Sequence, residues 1–251
     1  MIKVTNLKVN IKGKEILKNV SLEIKEGERY VILGPSGSGK SVLLKNIIGL
    51  LKSTSGNIEI DGISIVKSTK KELKEIRKKC GFLFQHSALF DSMTVEENLA
   101  FPLIQHTKLT DEEIKYKIKE KLGIVGLKGI EAKKPSELSG GMQKRVALAR
   151  SIILEPKYIF YDEPTTGLDP IMARTIDDLI NDLNKRLKIT SIIVTHDMKS
   201  AFRTADRLGL LYNGEIKIEG TNEQMNKLNN PYLIQFIEGE KKGPMNLNFM
   251  E

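Results

Sequence analysis

Gly34-Pro35-Ser36-Gly37-Ser38-Gly39-Lys40-Ser41 stands between an apolar, strand-like run at residues 29–33 and a helical pattern at 41–50. Glycines at 34, 37 and 39 let the backbone curl so that several N–H groups turn inward. The helix that follows aims its positive end at the same point. The pattern is G-x-x-x-x-G-K followed by Ser or Thr, and its strand–loop–helix setting is the one that cradles nucleotide phosphates. Lys40 would pair with the β- and γ-phosphates, and the Ser41 hydroxyl would offer an oxygen to Mg²⁺.

On either side of this loop the chain alternates between strands and helices. Strand patterns fall at residues 2–9, 15–24, 29–33 and 57–60, with a turn at Lys12-Gly13-Lys14. Thr94 with Glu97 and Thr110 with Glu113 have capping-box spacing, so residues 94–154 read mostly as helix. Strand signals return at 158–161, 191–195 and 208–212. Such alternation predicts a largely parallel, buried sheet. The expected fold is α/β: a phosphate-loop NTPase core with a mostly parallel sheet, an antiparallel β subdomain, and a helical subdomain inserted at about 91–154. One domain is expected over residues 1–230, followed by a tail at 231–251, PYLIQFIEGEKKGPMNLNFME, where the pattern fades.

Composition narrows the class. The 251 residues are 40% hydrophobic and 29% charged, as in ordinary soluble domains. No run of 18 apolar residues is present to span a bilayer, and MIKVTNLKVN alternates rather than forming a signal-peptide core, so a cytosolic chain is expected. The single cysteine, Cys80, excludes an intramolecular disulfide and reads as a packed strand residue in CGFLFQ. The net charge of +8 raises the question of nucleic acid. The densest basic run, KKELKEIRKK at 70–79, is interrupted by Glu72 and Glu75 at helical spacing, which describes a solvated helix face. No aromatic residue interleaves it to stack on bases, so nucleic acid is not an expected partner. Attraction to an anionic membrane surface remains open.

Two further segments carry chemistry. The run at 158–161 ends in Asp162-Glu163, at the carboxyl end of a strand, where open α/β sheets bind ligands. Asp162 would hold Mg²⁺ through water, and Glu163 would act as general base toward the attacking water. Leu138-Ser139-Gly140-Gly141-Met142-Gln143 opens a helix whose N-terminal amides face outward again. With these three segments the sequence resembles the ATP-binding subunits of ABC transporters over nearly its whole length.

The resemblance implies an ABC ATPase fold, ATP and Mg²⁺ as ligands, and a homodimer that sandwiches ATP. It implies that Gly34, Pro35, Ser36, Gly37, Ser38, Gly39, Lys40, Ser41 and Val42 hold the nucleotide, with Ile11 against the adenine. Ser139, Gly140 and Gly141 would cap the γ-phosphate held by the other subunit. Gln85 would touch Mg²⁺ and water and sense the membrane partner. Asp169, in Gly167-Leu168-Asp169-Pro170, would lie in the loop that crosses the dimer interface, and His196 would contact the γ-phosphate. Three positions depart from the family pattern. Met142 stands where Gln is usual, Val42 replaces a second hydroxyl, and Ile11 replaces a stacking aromatic. His86 and His106 match no family element.

Gln85 through Phe90, the stretch from Asp91 to Leu103, the methionine at 142, and Gln235 to Gly239 with Gly243-Pro244 resemble the ATPases of Mla-type lipid transporters. That likeness implies a polytopic permease, an MCE-domain lipid-binding subunit, a small STAS-domain protein docked on the ATPase, and a tail that reaches the neighbouring ATPase. It places the chain peripherally on the cytoplasmic face of a bacterial inner membrane. Two alternatives stand beside it: the ATPase of an amino-acid-like importer, and a non-transport ABC protein. The latter commonly carries two ATPase units in one chain, whereas one phosphate loop is present here. A degenerate scaffold is opposed by the intact Lys40, Asp162, Glu163 and His196.

Overall fold

The structure, a computed structural model, describes residues 1–246. The chain forms two compact units, one made of Met1–Ser68 with the segment from Ile192 onward, the other of Thr69–Ser191.

In the first unit, β1 (Ile2–Ile11) and β2 (Lys14–Ile24) form an antiparallel hairpin, closed at Lys12 and Gly13, whose φ angles are 52° and 83°. β4 (Ser55–Ile60) pairs antiparallel with β1, and the short β5 (Ile63–Ser64) completes the order β2-β1-β4-β5. Alternation on β1 buries Ile2 and Val4, then Leu7 and Val9; the three-residue step from Val4 to Leu7 is taken up by a bulge, with Asn6 at φ 48°. At Gly56 a Cβ would come within 2.5 Å of the Asn6 carbonyl oxygen, so β1 and β4 can cross there only at glycine.

The unit's second sheet runs β10-β9-β3-β8, with β3 (Arg29–Leu33), β8 (Thr190–Thr195), β9 (Arg207–Tyr212) and β10 (Glu215–Thr221). The chain enters this unit within β8. β3 and β9 are parallel, and Tyr30 through Leu33 have no exposed surface. The Tyr30 ring fits because its hydroxyl end lies against Gly209 of β9, where a Cβ would stand 2.4 Å away, and that hydroxyl donates to Glu219 Oε1 at 2.9 Å. Burial, reinforced by Glu219, pushes that phenol well above its ordinary pKa. Helices α1 (Lys40–Ile47), α7 (Met198–Thr204), α8 (Asn222–Lys227) and α9 (Pro231–Glu238) belong to this unit.

In the second unit, β6 (Cys80–Leu83) and β7 (Tyr158–Asp162) pair in parallel, and every residue of β7 is buried. Helices α2 (Lys70–Lys78), α3 (Val95–His106) and α4 (Asp111–Ile124) each begin with a Thr–Glu capping box, at Thr69/Glu72, Thr94/Glu97 and Thr110/Glu113. Each box satisfies two otherwise orphaned amides; losing such a cap costs about 1 kcal/mol. α2 buries only Ile76 and leaves its charges in solvent, with Lys78 paired to Glu75 at 2.8 Å. α5 (Gly140–Ser151) lies on β6 at Gly81, where any side chain would overlap the Ser151 carbonyl. α6 (Pro170–Leu187) follows β7. α3, α4 and α5 fall inside the 91–154 stretch expected to be helical.

Two expectations need correction. The helix after the phosphate loop ends at Ile47, not at residue 50, because Gly49 takes a left-handed φ of 70° just beyond its cap. The tail does not fade after Asn230. Asn230 Oδ1 accepts from the amides of Tyr232 and Leu233, Pro231 occupies the first helical position, and α9 follows. Gln235, buried on α9, then closes the chain on itself. Its Nε2 donates to the carbonyls of Glu240 and Met245 at 3.2 and 3.0 Å, and its Oε1 accepts from Met245 N at 2.7 Å. The end of the expected tail, 247–251, lies outside the described residues.

Gln235→Ala leaves the buried N–H and C=O of Met245 without partners, each costing about 1–3 kcal/mol if left unsatisfied, and releases the Glu240 carbonyl. Hydrogen exchange followed by mass spectrometry should show residues 240–246 losing protection while α1 and β3 keep theirs. Unchanged protection at 240–246 contradicts the staple.

Candidate nucleotide site

The phosphate loop, residues 34–41, joins β3 to α1 entirely within the first unit. Its conformation is imposed from beneath. A Cβ at Gly34 would overlap the carbonyl oxygen of Leu211 on β9 and lie 3.0 Å from Ser38 Oγ. Gly37 and Gly39 hold φ of 78° and 100°, and a Cβ at Gly39 would come within 2.9 Å of Leu17. Lys40 is buried, and its ammonium turns back onto the carbonyls of Gly34 at 2.7 Å and Pro35 at 3.0 Å. Ser38 Oγ is buried without a hydrogen-bond partner among the described residues. An orphaned buried hydroxyl, a curled lysine and glycines packed to their limit make a polar cradle that phosphate oxygens fit.

His196 follows β8 and is exposed. The next residue, Asp197, caps α7 by accepting from Lys199 N and Ser200 N, which fixes the backbone beside the imidazole. One cavity of about 710 Å³ in this unit is lined by Pro35, Ser36, His196, Gln235, Phe236 and Met245, so the histidine and the loop face common space. Val42 is half-buried, its carbonyl accepting from Asn46 Nδ2, and Ile11 is exposed at the end of β1.

The second unit carries the remaining expected residues. Asp162 ends β7, and Glu163 follows in a left-handed conformation, φ 50°, rare for a side chain of its size and typical of strained functional positions. Both carboxylates are buried, and Thr166 Oγ1 donates to Glu163 Oε2 at 3.1 Å. Ser139 caps α5 by accepting from Met142 N. Ser139 and Gly140 are exposed, while Gly141 packs so tightly on Met172 that a Cβ would overlap it. Asp169 caps α6, its Oδ1 accepting from Ile171 N and Met172 N at 2.9 and 3.0 Å. Gln85, half-buried just past β6, has its carbonyl gripped by the Lys144 ammonium at 2.5 Å.

Lys144 escaped the sequence reading. Burial brings its pKa down to about 8 against the opposing pull of Asp162 and Glu163. Its signal was a lysine on the buried stripe of α5, three residues after Gly141 and four before Leu148. Arg150 was missed too: its guanidinium donates to the carbonyls of Ser87 at 2.9 Å and Ala88 at 2.8 Å. Beside it lies a groove of about 460 Å³ lined by Phe82, Phe84, Phe90, Phe101, Pro102 and Arg150.

A phosphate loop between a buried parallel strand and a helix, with an acidic pair ending another parallel strand, defines a nucleotide-hydrolysing P-loop protein. A family model described as "ABC transporter" matches residues 17–166. A relative from Mycobacterium leprae, named probable ribonucleotide transport ATP-binding protein mkl, is 43% identical over 98% of this chain and 71% of its own length. The intermembrane phospholipid transport system ATP-binding protein MlaF of Haemophilus influenzae is 42% identical over 99% of this chain and 94% of its own. A solved dimeric ATP-binding cassette in a post-hydrolysis state, bound to ADP and Pi, superposes with a TM-score of 0.82. It is 37% identical over 88% of this chain and 99% of that one. The chain belongs to the ABC transporter family and is one of its ATP-hydrolysing subunits. No helix among the described residues is long and apolar enough to cross a membrane.

Gly34→Ala must displace either the loop or β9, an overpacking cost of about 1–3 kcal/mol. ATP affinity measured by titration calorimetry should fall roughly tenfold or more, the equivalent of 1.4 kcal/mol. Wild-type affinity in Gly34→Ala contradicts the cradle described here.

Proposed function

We propose that the chain powers phospholipid transport through a membrane permease, as one half of a homodimer that closes on ATP. The observation that carries the lipid reading is the extent of the likeness to the phospholipid transport relative, which runs through 94% of that protein and 99% of this chain.

In this reading Lys40, Ser41, Asp162 and Glu163 act on ATP. Mg²⁺, when bound, would supply charge neutralisation to the phosphates, and the Ser41 hydroxyl, the Asp162 carboxylate and the Gln85 amide oxygen are the hard donors that would hold it. Lys40 leaves the carbonyls of Gly34 and Pro35 for the β- and γ-phosphate oxygens. The backbone N–H groups of residues 36–42 line the phosphates, Val42 contributing its N–H alone, and Ile11 gives the adenine an apolar contact in place of stacking. Glu163 accepts the proton of the attacking water, its carboxylate oriented by the Thr166 hydroxyl on Oε2. His196 donates to the γ-phosphate. Barrier lowering rests on positioning and on charge stabilisation.

Ser139, Gly140 and the amides opening α5 cap the γ-phosphate bound by the partner subunit, and Asp169 fixes the loop that crosses between subunits. The aromatic groove beside Arg150 receives the cytoplasmic part of a polytopic permease. An MCE-domain lipid-binding subunit and a STAS-domain protein complete the assembly, on the cytoplasmic face of the inner membrane.

Purification of the chain from its own membranes in mild detergent tests this reading. Recovery of a polytopic permease with an MCE-domain protein and phospholipid is expected. A permease with a small-solute binding protein contradicts the lipid assignment, and recovery with ribosomes or division proteins and no permease contradicts transport.

A further inference from the structure

α5 carries one buried cation, Lys144, and one half-buried, Arg150, and both grip backbone carbonyls of one segment. Lys144 is 4% exposed, and its ammonium donates to the carbonyl of Gln85 at 2.5 Å. Two turns further along, Arg150 donates to Ser87 and Ala88. Those two residues hold left-handed φ angles of 60° and 49°, a conformation that isolated Ser and Ala avoid. Asn98 secures the far end, accepting from Phe90 N at 2.8 Å and donating to the carbonyls of Phe90, Met93 and Thr94. The segment after β6 is therefore a shaped loop, fixed twice by α5 and once by α3.

The choice of lysine at 144 is not explained by stability. A buried ammonium loses its hydration, and here that loss outweighs the attraction of Asp162 and Glu163. A cation kept at that cost beside two buried carboxylates is held to a fixed position. Its geometry states the constraint: one rigid helix begins at Ser139-Gly140-Gly141 and, one turn later, holds the peptide that bears Gln85.

We propose that Lys144 is a positioning residue for ATP hydrolysis, tying the backbone of Gln85 to α5 so that the Gln85 side chain and the helix that caps the partner's γ-phosphate move as one body. The side chain of Gln85 can then reach metal and water only when α5 is seated. The inference rests on the roles proposed above for Gln85 and Glu163.

The test is steady-state Mg-ATP hydrolysis by the purified full chain, with whatever membrane partners accompany it, for wild type, Lys144→Met, Lys144→Arg and Glu163→Gln. Lys144→Met should lower kcat by about tenfold to a hundredfold, the scale of a misplaced catalytic group, while KM and ATP affinity change by less than about threefold. Lys144→Arg, which restores a cation able to reach the carbonyl, should recover most of the loss. If Lys144→Met does not fold, Lys144→Gln, shorter and uncharged, stands in its place with the same expectation. Wild-type kcat in the Met or Gln variant overturns the proposal. So does a parallel fall of kcat, affinity and melting temperature that Arg does not rescue, since that pattern belongs to a purely structural residue. Glu163→Gln separates the two levels: if it retains turnover, the proposed catalytic roles themselves fail, whatever Lys144 does.

Discussion

The carbonyl of Leu211 on β9 lies directly beneath Gly34, so closely that no Cβ can stand there. That contact sets the depth at which the chain leaves β3, and the curl of residues 35–39 follows from it. Lys40 is drawn inward onto the Gly34 and Pro35 carbonyls, and Ser38 Oγ is buried with nothing described to bond it. A loop in that condition holds polar groups ready for a polyanion, and the free energy of ordering them is met in folding rather than in binding. β9 in turn is placed by Tyr30, whose buried ring occupies the space that Gly209 leaves open, and by Arg29, which pairs with Asp206 at the same edge.

The second unit solves a different problem with similar means. It must hold buried acidic residues and an irregular segment in fixed positions. Glu163 is held at a strained φ with Thr166 on one carboxylate oxygen, and the segment after β6 is held by cations from α5 and an amide from α3. The cations land on backbone carbonyls and the Asn98 amide oxygen accepts from Phe90 N, so these grips supply geometry as well as, for Lys144 and Arg150, charge. Motion of α5 can thus be conveyed to Gln85 through a hydrogen bond to its own peptide.

The parts legible in the sequence are those whose chemistry is local. The phosphate loop, the acidic pair and the Thr–Glu capping boxes declare themselves within a few residues, and the strands that lead into the first two are short continuous apolar runs, as buried parallel strands are. What was not legible depends on distant meetings. Lys144 looks like any helix lysine until it reaches Gln85, 59 residues away. Gln235 has no visible task until the chain returns ten residues later. α9 was missed because its signal, Asn230-Pro231, is a two-residue cap followed by a helix of only eight residues. The strain at Glu163 leaves no mark in composition at all, since glutamate gives no hint of a left-handed backbone.

The central claim is that ATP closes two copies of this chain around Glu163-dependent chemistry. Sedimentation of Glu163→Gln with Mg-ATP and, separately, with Mg-ADP tests it most directly. The account predicts a stable dimer in ATP that reverts to monomer in ADP, with no phosphate released. A variant that stays monomeric in saturating ATP, or that turns ATP over at the wild-type rate, contradicts it.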